Sequence, residues 1–222
     1  MNLLNDWGFK YVFNKEENLI HFLNLLFEGR EEIKSITYLP TEQLGKTEED
    51  RKVIFDVYCR NDREELILLE MQNIPQVHFQ DRSLFYSAFP LRNQAIKGEW
   101  DFELKSVYVI GILNFIPKGK ADEQYIERVC LINERTKEQY SDKLNFINVL
   151  LPKFNKAPEE LSDYLDCWLY ILKHSKELET QPKEIQGELF DELFKDIEIK
   201  RLKGENMEAY KGYRSSELRY ED

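Results

Sequence analysis

Two short runs constrain this chain more than anything else in it. Leu66-Ile67-Leu68-Leu69 is apolar at four successive positions, and Val107 to Phe115 is apolar almost throughout. A strand with one wet face alternates polar and apolar residues. A strand apolar on both faces belongs inside a sheet that is covered on both sides. Both runs are far too short to span a bilayer. The expected fold is therefore α/β, a central sheet with helices packed against it.

The flanking segments fill in that plan. Leu19, Phe22, Leu23 and Leu26 recur at helical spacing, which predicts a helix over 15–27 ended by Gly29. Strands are expected over 33–39, 52–60 and 65–72, with a polar loop over 40–50 and a turn at Asn61-Asp62. A helix is expected over 79–97, with Leu84, Phe85, Ala88, Leu91 and Ala95 as its buried stripe and Gly98 as its stop. The strand over 107–115 follows. Helix, three strands, helix, strand implies a mixed sheet, because a helical crossover returns the chain parallel to its previous strand. Further strands are expected over 125–133 and 144–151, a break over 152–158, and amphipathic helices over 159–176 and 183–203. The reading divides the chain into a core over 1–152 and a helical C-terminal extension over 153–222, polar from about Gly204.

One feature of this plan is chemically expensive. Asp56 falls within an otherwise apolar strand, and Glu70 and Gln72 close another. Carboxylates in a sheet interior need a partner, a metal or a shifted pKa. Glu70 and Gln72 share a face, since strand side chains alternate. A hairpin joining the two strands brings Asp56 beside them. Taken singly, each acid reads better as a solvated strand-end residue, since charged residues at strand ends are common. Taken together, two carboxylates with the backbone carbonyl of Met71 make a hard oxygen site suited to Mg2+ or Mn2+. Such a site fits phosphodiester hydrolysis.

Three Glu-x-Lys triplets, at Glu32/Lys34, Glu103/Lys105 and Glu198/Lys200, compete by letters alone. Context sets them aside. Glu32 precedes every Asp-bearing strand, Glu103 lies beyond the second helix, and Glu198 falls in an expected helix.

The ordered set of motifs resembles the recombination-promoting nuclease family, the PD-(D/E)XK nuclease family transposases. Asp6-Trp7-Gly8-Phe9-Lys10-Tyr11-Val12-Phe13 resembles the family's opening. Asn18 with Phe22-Leu23-Asn24 resembles its first helix. Asp50-Arg51-Lys52-Val53-Ile54-Phe55-Asp56 and Glu70-Met71-Gln72 resemble its central motifs, and Arg82, Tyr86, Gln94 and Gly98 its following helix. The resemblance covers residues 3–116 well and the remainder thinly. It implies a PD-(D/E)XK restriction-endonuclease-like core that cleaves DNA with Mg2+, Mn2+ or Ca2+, linked to recombination or mobile elements. Asp56 and Glu70 would then ligate the metal. Gln72 stands where most of the superfamily has Lys, and Glu-x-Gln is usual in this family. Arg82 or Lys10 would supply the missing cation, and Asp6 a further carboxylate. Two departures, Arg51-Lys52 after Asp50 and Trp100 in place of Tyr, do not touch the metal ligands.

Composition narrows the rest. A formal net charge of −11 argues against a nonspecific nucleic-acid coat. Cys59, Cys130 and Cys167 are isolated, and His21, His78 and His174 have no metal-ligand spacing. No P-loop, dinucleotide fingerprint or nucleophile elbow is present. Phe79, Phe85, Tyr86 and Phe89 read as a packed helix face before a base-stacking one. No signal peptide opens the chain, so a cytoplasmic protein is expected, with DNA as partner, no membrane, and a homodimer left open. The alternative reading is a noncatalytic DNA-binding or protein-interaction module on the same fold, and a third is an RNase.

Overall fold

The computed structural model describes residues 2–29, 32–43, 53–95, 101, 103–117, 123–178 and 180–197. The chain divides into two compact units, Met1–Arg30 with Asn155–Asp222, and Glu31–Phe154. Among the described residues no helix is long and apolar enough to cross a membrane.

The unit Glu31–Phe154 is built on a mixed six-stranded sheet. Its strands are β1 (Ile36–Tyr38), β4 (Val57–Asn61), β5 (Leu66–Gln72), β6 (Val107–Leu113), β7 (Ile126–Ile132) and β8 (Gln139–Leu150). They lie in the order β1-β4-β5-β6-β8-β7. β5 and β6 are parallel, as are β6 and β8, and the other neighbours are antiparallel. The parallel step from β5 to β6 needs a crossover, which α3 (Phe79–Asn93) provides. A separate two-stranded ribbon pairs β2 (Glu42–Gln43) with β3 (Val53–Ile54). All seven residues of β5 are buried, as its doubly apolar sequence requires. Leu66 and Leu68 pack with Tyr58, Phe89, Val107 and Val109, so α3 covers the face carrying the even-numbered residues of β5. Each such large apolar side chain contributes roughly 1.5–3 kcal/mol on full burial.

Three expectations are corrected here. The strand expected over 52–60 is two strands with a bend at Phe55-Asp56. The β4–β5 ladder runs out at Val57 opposite Leu69. One step further, the Phe55 N–H donates to Thr41 C=O at 3.0 Å, and the chain leaves the large sheet for the ribbon. The stripe expected on α3 is out of phase. Leu84 and Phe85 are 53% and 48% exposed, whereas Phe79, Ser87, Phe89 and Pro90 are buried. The sheet below is not uniformly apolar, so part of the inward helix face is polar. Finally, α3 ends at Asn93 rather than Lys97. There the Gln94 side chain donates to Lys105 C=O at 3.1 Å and accepts Lys105 N–H at 2.7 Å, tying the helix end to the start of β6. Gly98 and Trp100, like the motif Asp50-Arg51-Lys52, lie outside the described residues.

The other unit contains α1 (Asp6–Phe13), α2 (Glu16–Leu26), α4 (Tyr164–His174) and α5 (Glu188–Ile197). Sequence periodicity found α2, α4 and α5 but not α1, which is only eight residues long. α1 is set by its cap, the Asn5 side chain accepting the Gly8 N–H at 2.7 Å. Phe13, Phe22 and Phe190 pack around fully buried Trp168. The Trp168 indole N–H donates to His21 Nδ1 at 2.9 Å. A second anchor is Asp166, 1% exposed, whose Oδ2 accepts from Lys156 Nζ at 2.5 Å, Ser162 Oγ at 2.7 Å and Ser162 N–H at 2.9 Å. Lys156 and the Ser162 hydrogen bonds hold its carboxyl below the usual carboxylate range against the opposing effect of burial.

Candidate active site

The bend at Asp56 and the end of β5 meet at one place. Extending the Val57–Leu69 register by one step sets Asp56 opposite Glu70. The Asp56 N–H donates to Glu70 Oε1 at 3.1 Å, and the Met71 N–H donates to Asp56 Oδ2 at 2.7 Å. Asp56 is therefore held by the Met71 N–H, a backbone group of β5 beyond the end of the ladder with β4. Glu70 is 6% exposed and Gln72 8%. The Gln72 C=O accepts the Asn114 N–H on the far edge of β5 at 2.9 Å. Successive backbone groups of a strand point to opposite edges, so the Met71 C=O faces the edge where Asp56 lies. Two carboxylates and a backbone carbonyl thus converge on one edge of one strand.

Helix α3 closes the site from above the sheet. Arg82 Nη2 stands 3.6 Å from Glu70 Oε2, and the Arg82 guanidinium lies 4.7 Å from the centre of the Tyr86 ring. Tyr86 in turn meets Phe55 edge-on at 5.5 Å. Burial raises the Tyr86 phenol above its ordinary value, and Glu70 and Asp56 add to the rise while Arg82 opposes it. Glu70, Gln72, Arg82 and Tyr86 line a narrow crevice against Val109 and Gly111. Room is short at Gly111. A Cβ at this position would meet the Phe79 ring at 3.1 Å and Asn148 Oδ1 at 3.2 Å.

Of the residues the sequence singled out, Asp56, Glu70, Met71, Gln72 and Arg82 come together here. Asp6 and Lys10 lie on α1 in the other unit, joined to each other by an ion pair of 2.6 Å. Glu32 and Lys34 precede β1, and Glu103 and Lys105 precede β6, bonded to one another at 3.4 Å. Glu198 and Lys200 lie outside the described residues. One participant was missed. Gln76 sits between Gln72 and Arg82 in the loop before α3, and a lone Gln after Pro75 carries no sequence signal.

The donor set suits a hard divalent cation. Mg2+ is commonly held by one or two carboxylates and keeps several waters; among the described residues there is no group of three or more His, Cys, Asp or Glu placed to hold a metal ion. A sequence profile of the PD-(D/E)XK nuclease family transposases matches residues 3–220. The chain matches no curated protein and no solved structure.

Proposed function

Because this chain belongs to the PD-(D/E)XK nuclease family transposases, we propose that it is a metal-dependent DNA endonuclease whose centre is Asp56, Glu70 and Gln72. Membership gives the coarse role, nuclease-like or in mobile elements. The finer reading rests on one observation, the placing of the Asp56 and Glu70 carboxylates side by side at the end of β5.

On this reading Asp56, Glu70 and the Met71 carbonyl hold Mg2+ or Mn2+. When bound there, such a cation would supply Lewis-acid polarisation of a phosphate and a water made nucleophilic at neutral pH. Gln72 donates a hydrogen bond to the reacting phosphate. Arg82, beside Glu70, supplies positive charge where the superfamily lysine is absent. Phe79 and Val109, which line the crevice beside Glu70 and Gln72, lower the local dielectric and strengthen each of these interactions. DNA is the partner, and the cytoplasm the compartment.

Supercoiled plasmid incubated with the protein and Mg2+ or Mn2+, against an Asp56→Ala control, tests this. Nicking or linearisation by the parent protein alone supports it. Equal cutting by both proteins sinks it. A second reading, a noncatalytic DNA-binding or protein-interaction module, draws on Gln72 standing in for the motif lysine and on the net charge of −11. Retained DNA binding without any cutting would favour it.

A further inference from the structure

Four side chains at the crevice form a connected chain of contacts. Arg82 Nη1 donates to Gln76 Oε1 at 2.9 Å, and Gln76 Nε2 donates to Gln72 Oε1 at 2.7 Å. Arg82 also stands by Glu70. The two ends of an amide have the same shape, and only the hydrogen-bond network distinguishes oxygen from nitrogen. Here the network has one polarity. A guanidinium only donates. The end of Gln76 that faces Arg82 must therefore be its oxygen, and the end facing Gln72 its NH2. Gln72 must then turn its oxygen to Gln76. Its own NH2 is left pointing away from Gln76, and among the described residues it meets no protein acceptor. Gln72 is more than nine-tenths buried, in the crevice it shares with Glu70.

We propose that Gln76 is a positioning residue that fixes Gln72 as a hydrogen-bond donor to a phosphate oxygen of the nucleic-acid substrate. The proposal rests on the nuclease reading above and adds how that site works without a lysine. A lysine donates in any orientation, whereas a glutamine donates only if its amide is held the right way round. Arg82 sets the direction, Gln76 transmits it, and Gln72 delivers it. One guanidinium thus serves twice, as the positive charge beside Glu70 and as the origin of the polarity that orients the amide.

Gln76→Glu tests this with almost no change of shape. Arg82 still donates to one carboxylate oxygen. The other oxygen now requires a donor, so the Gln72 amide rotates and its oxygen turns into the crevice. Loss of such a supporting partner typically costs about 10–100-fold in activity, and that loss is expected in the kcat of Mg2+-dependent plasmid cleavage. In a Gln72→Lys background the same Gln76→Glu change has little effect, because the lysine donates either way. A second measurement needs neither metal nor activity. In 15N-edited spectra of the metal-free protein, the Gln72 side-chain amide signals, identified by their loss in Gln72→Lys, move downfield and gain exchange protection in Gln76→Glu. Thermal melts establish that each variant is folded. Unchanged Gln72 signals, or an equal loss of cleavage in both backgrounds, overturns the proposal. Equal cutting by the parent and Asp56→Ala overturns the nuclease reading instead and leaves the amide measurement to decide the orientation.

Discussion

The Asp56 carboxylate accepts the main-chain N–H of Met71 at 2.7 Å, taking the place that a backbone carbonyl of its own strand would fill in a continued ladder. That single substitution of partner does three things. It ends the antiparallel pairing of β4 with β5, bends the chain toward the ribbon, and sets a carboxylate beside Glu70. Strand geometry and site geometry have the same cause.

Asp56→Asn separates the structural from the chemical role. An asparagine oxygen still accepts the Met71 N–H, so thermal stability stays near that of the parent. The negative charge is gone, and metal-dependent cleavage falls to background. Asp56→Ala also loses cleavage and in addition strands the Met71 N–H, at a cost of about 1–3 kcal/mol. Melting curves and plasmid cleavage on the three proteins check both statements. Cleavage retained by Asp56→Asn would remove this residue from the chemistry.

Arg82→Lys is not conservative here. A lysine is a point charge without the planar fork, so it cannot reach Glu70 and Gln76 together. Cleavage is expected to fall about 10–100-fold, and Arg82→Ala to be at least as damaged. Because Arg82 opposes the rise in the Tyr86 phenol, Arg82→Ala moves that phenol further up. Ultraviolet titration of phenolate, with Tyr86→Phe identifying the signal, reads the shift. A Tyr86 titration unmoved by Arg82→Ala would refute the contact.

Alkaline pH should weaken the sheet unit through Cys59 and Tyr58. Burial pushes the Cys59 thiol from 9.0 to about 12 and the Tyr58 phenol from 10.0 to about 12. Both folded values are raised, so the stability they contribute is complete below the unfolded values. It is lost as the pH climbs through the folded ones. Denaturant melts should show stability falling from about pH 9 toward pH 12, with a shallower fall in Cys59→Ala. A thiol reagent applied to the native protein at neutral pH should modify exposed Cys130 and spare buried Cys59 and Cys167.

Acid should loosen the helical unit through His21. Its Nδ1 accepts the Trp168 indole N–H, which requires the neutral ring, and burial lowers its pKa. The folded value lies below the unfolded one. The stability this contributes is therefore present above about pH 6.5 and is lost as the pH falls through the folded value. Trp168 fluorescence and the melting temperature should both change across that interval. A change of the same size in His21→Phe would show that another group is responsible.

The sequence by itself determined most of the elements and singled out the candidate residues. Doubly apolar runs can be satisfied only inside a sheet, so β5 and β6 were legible, and helical spacing gave α2. Two acids in apolar strands stood out because burying charge is costly, and the ordered motifs pointed to the family that the profile match establishes. Only the tertiary structure decided what depends on partners distant in sequence. The bend at Asp56 follows from the Phe55 N–H donating to Thr41 C=O in the ribbon while the Asp56 side chain takes the Met71 N–H. The inward face of α3 follows from what lies beneath it, since a helix over a polar crevice turns Arg82 and Tyr86 inward and leaves Leu84 and Phe85 in water. Gln76 gained its place only when the loop set it between Gln72 and Arg82. Periodicity reports the average environment of an element, whereas hydrogen-bond direction and strand register are properties of pairs, fixed only when the chain has closed on itself.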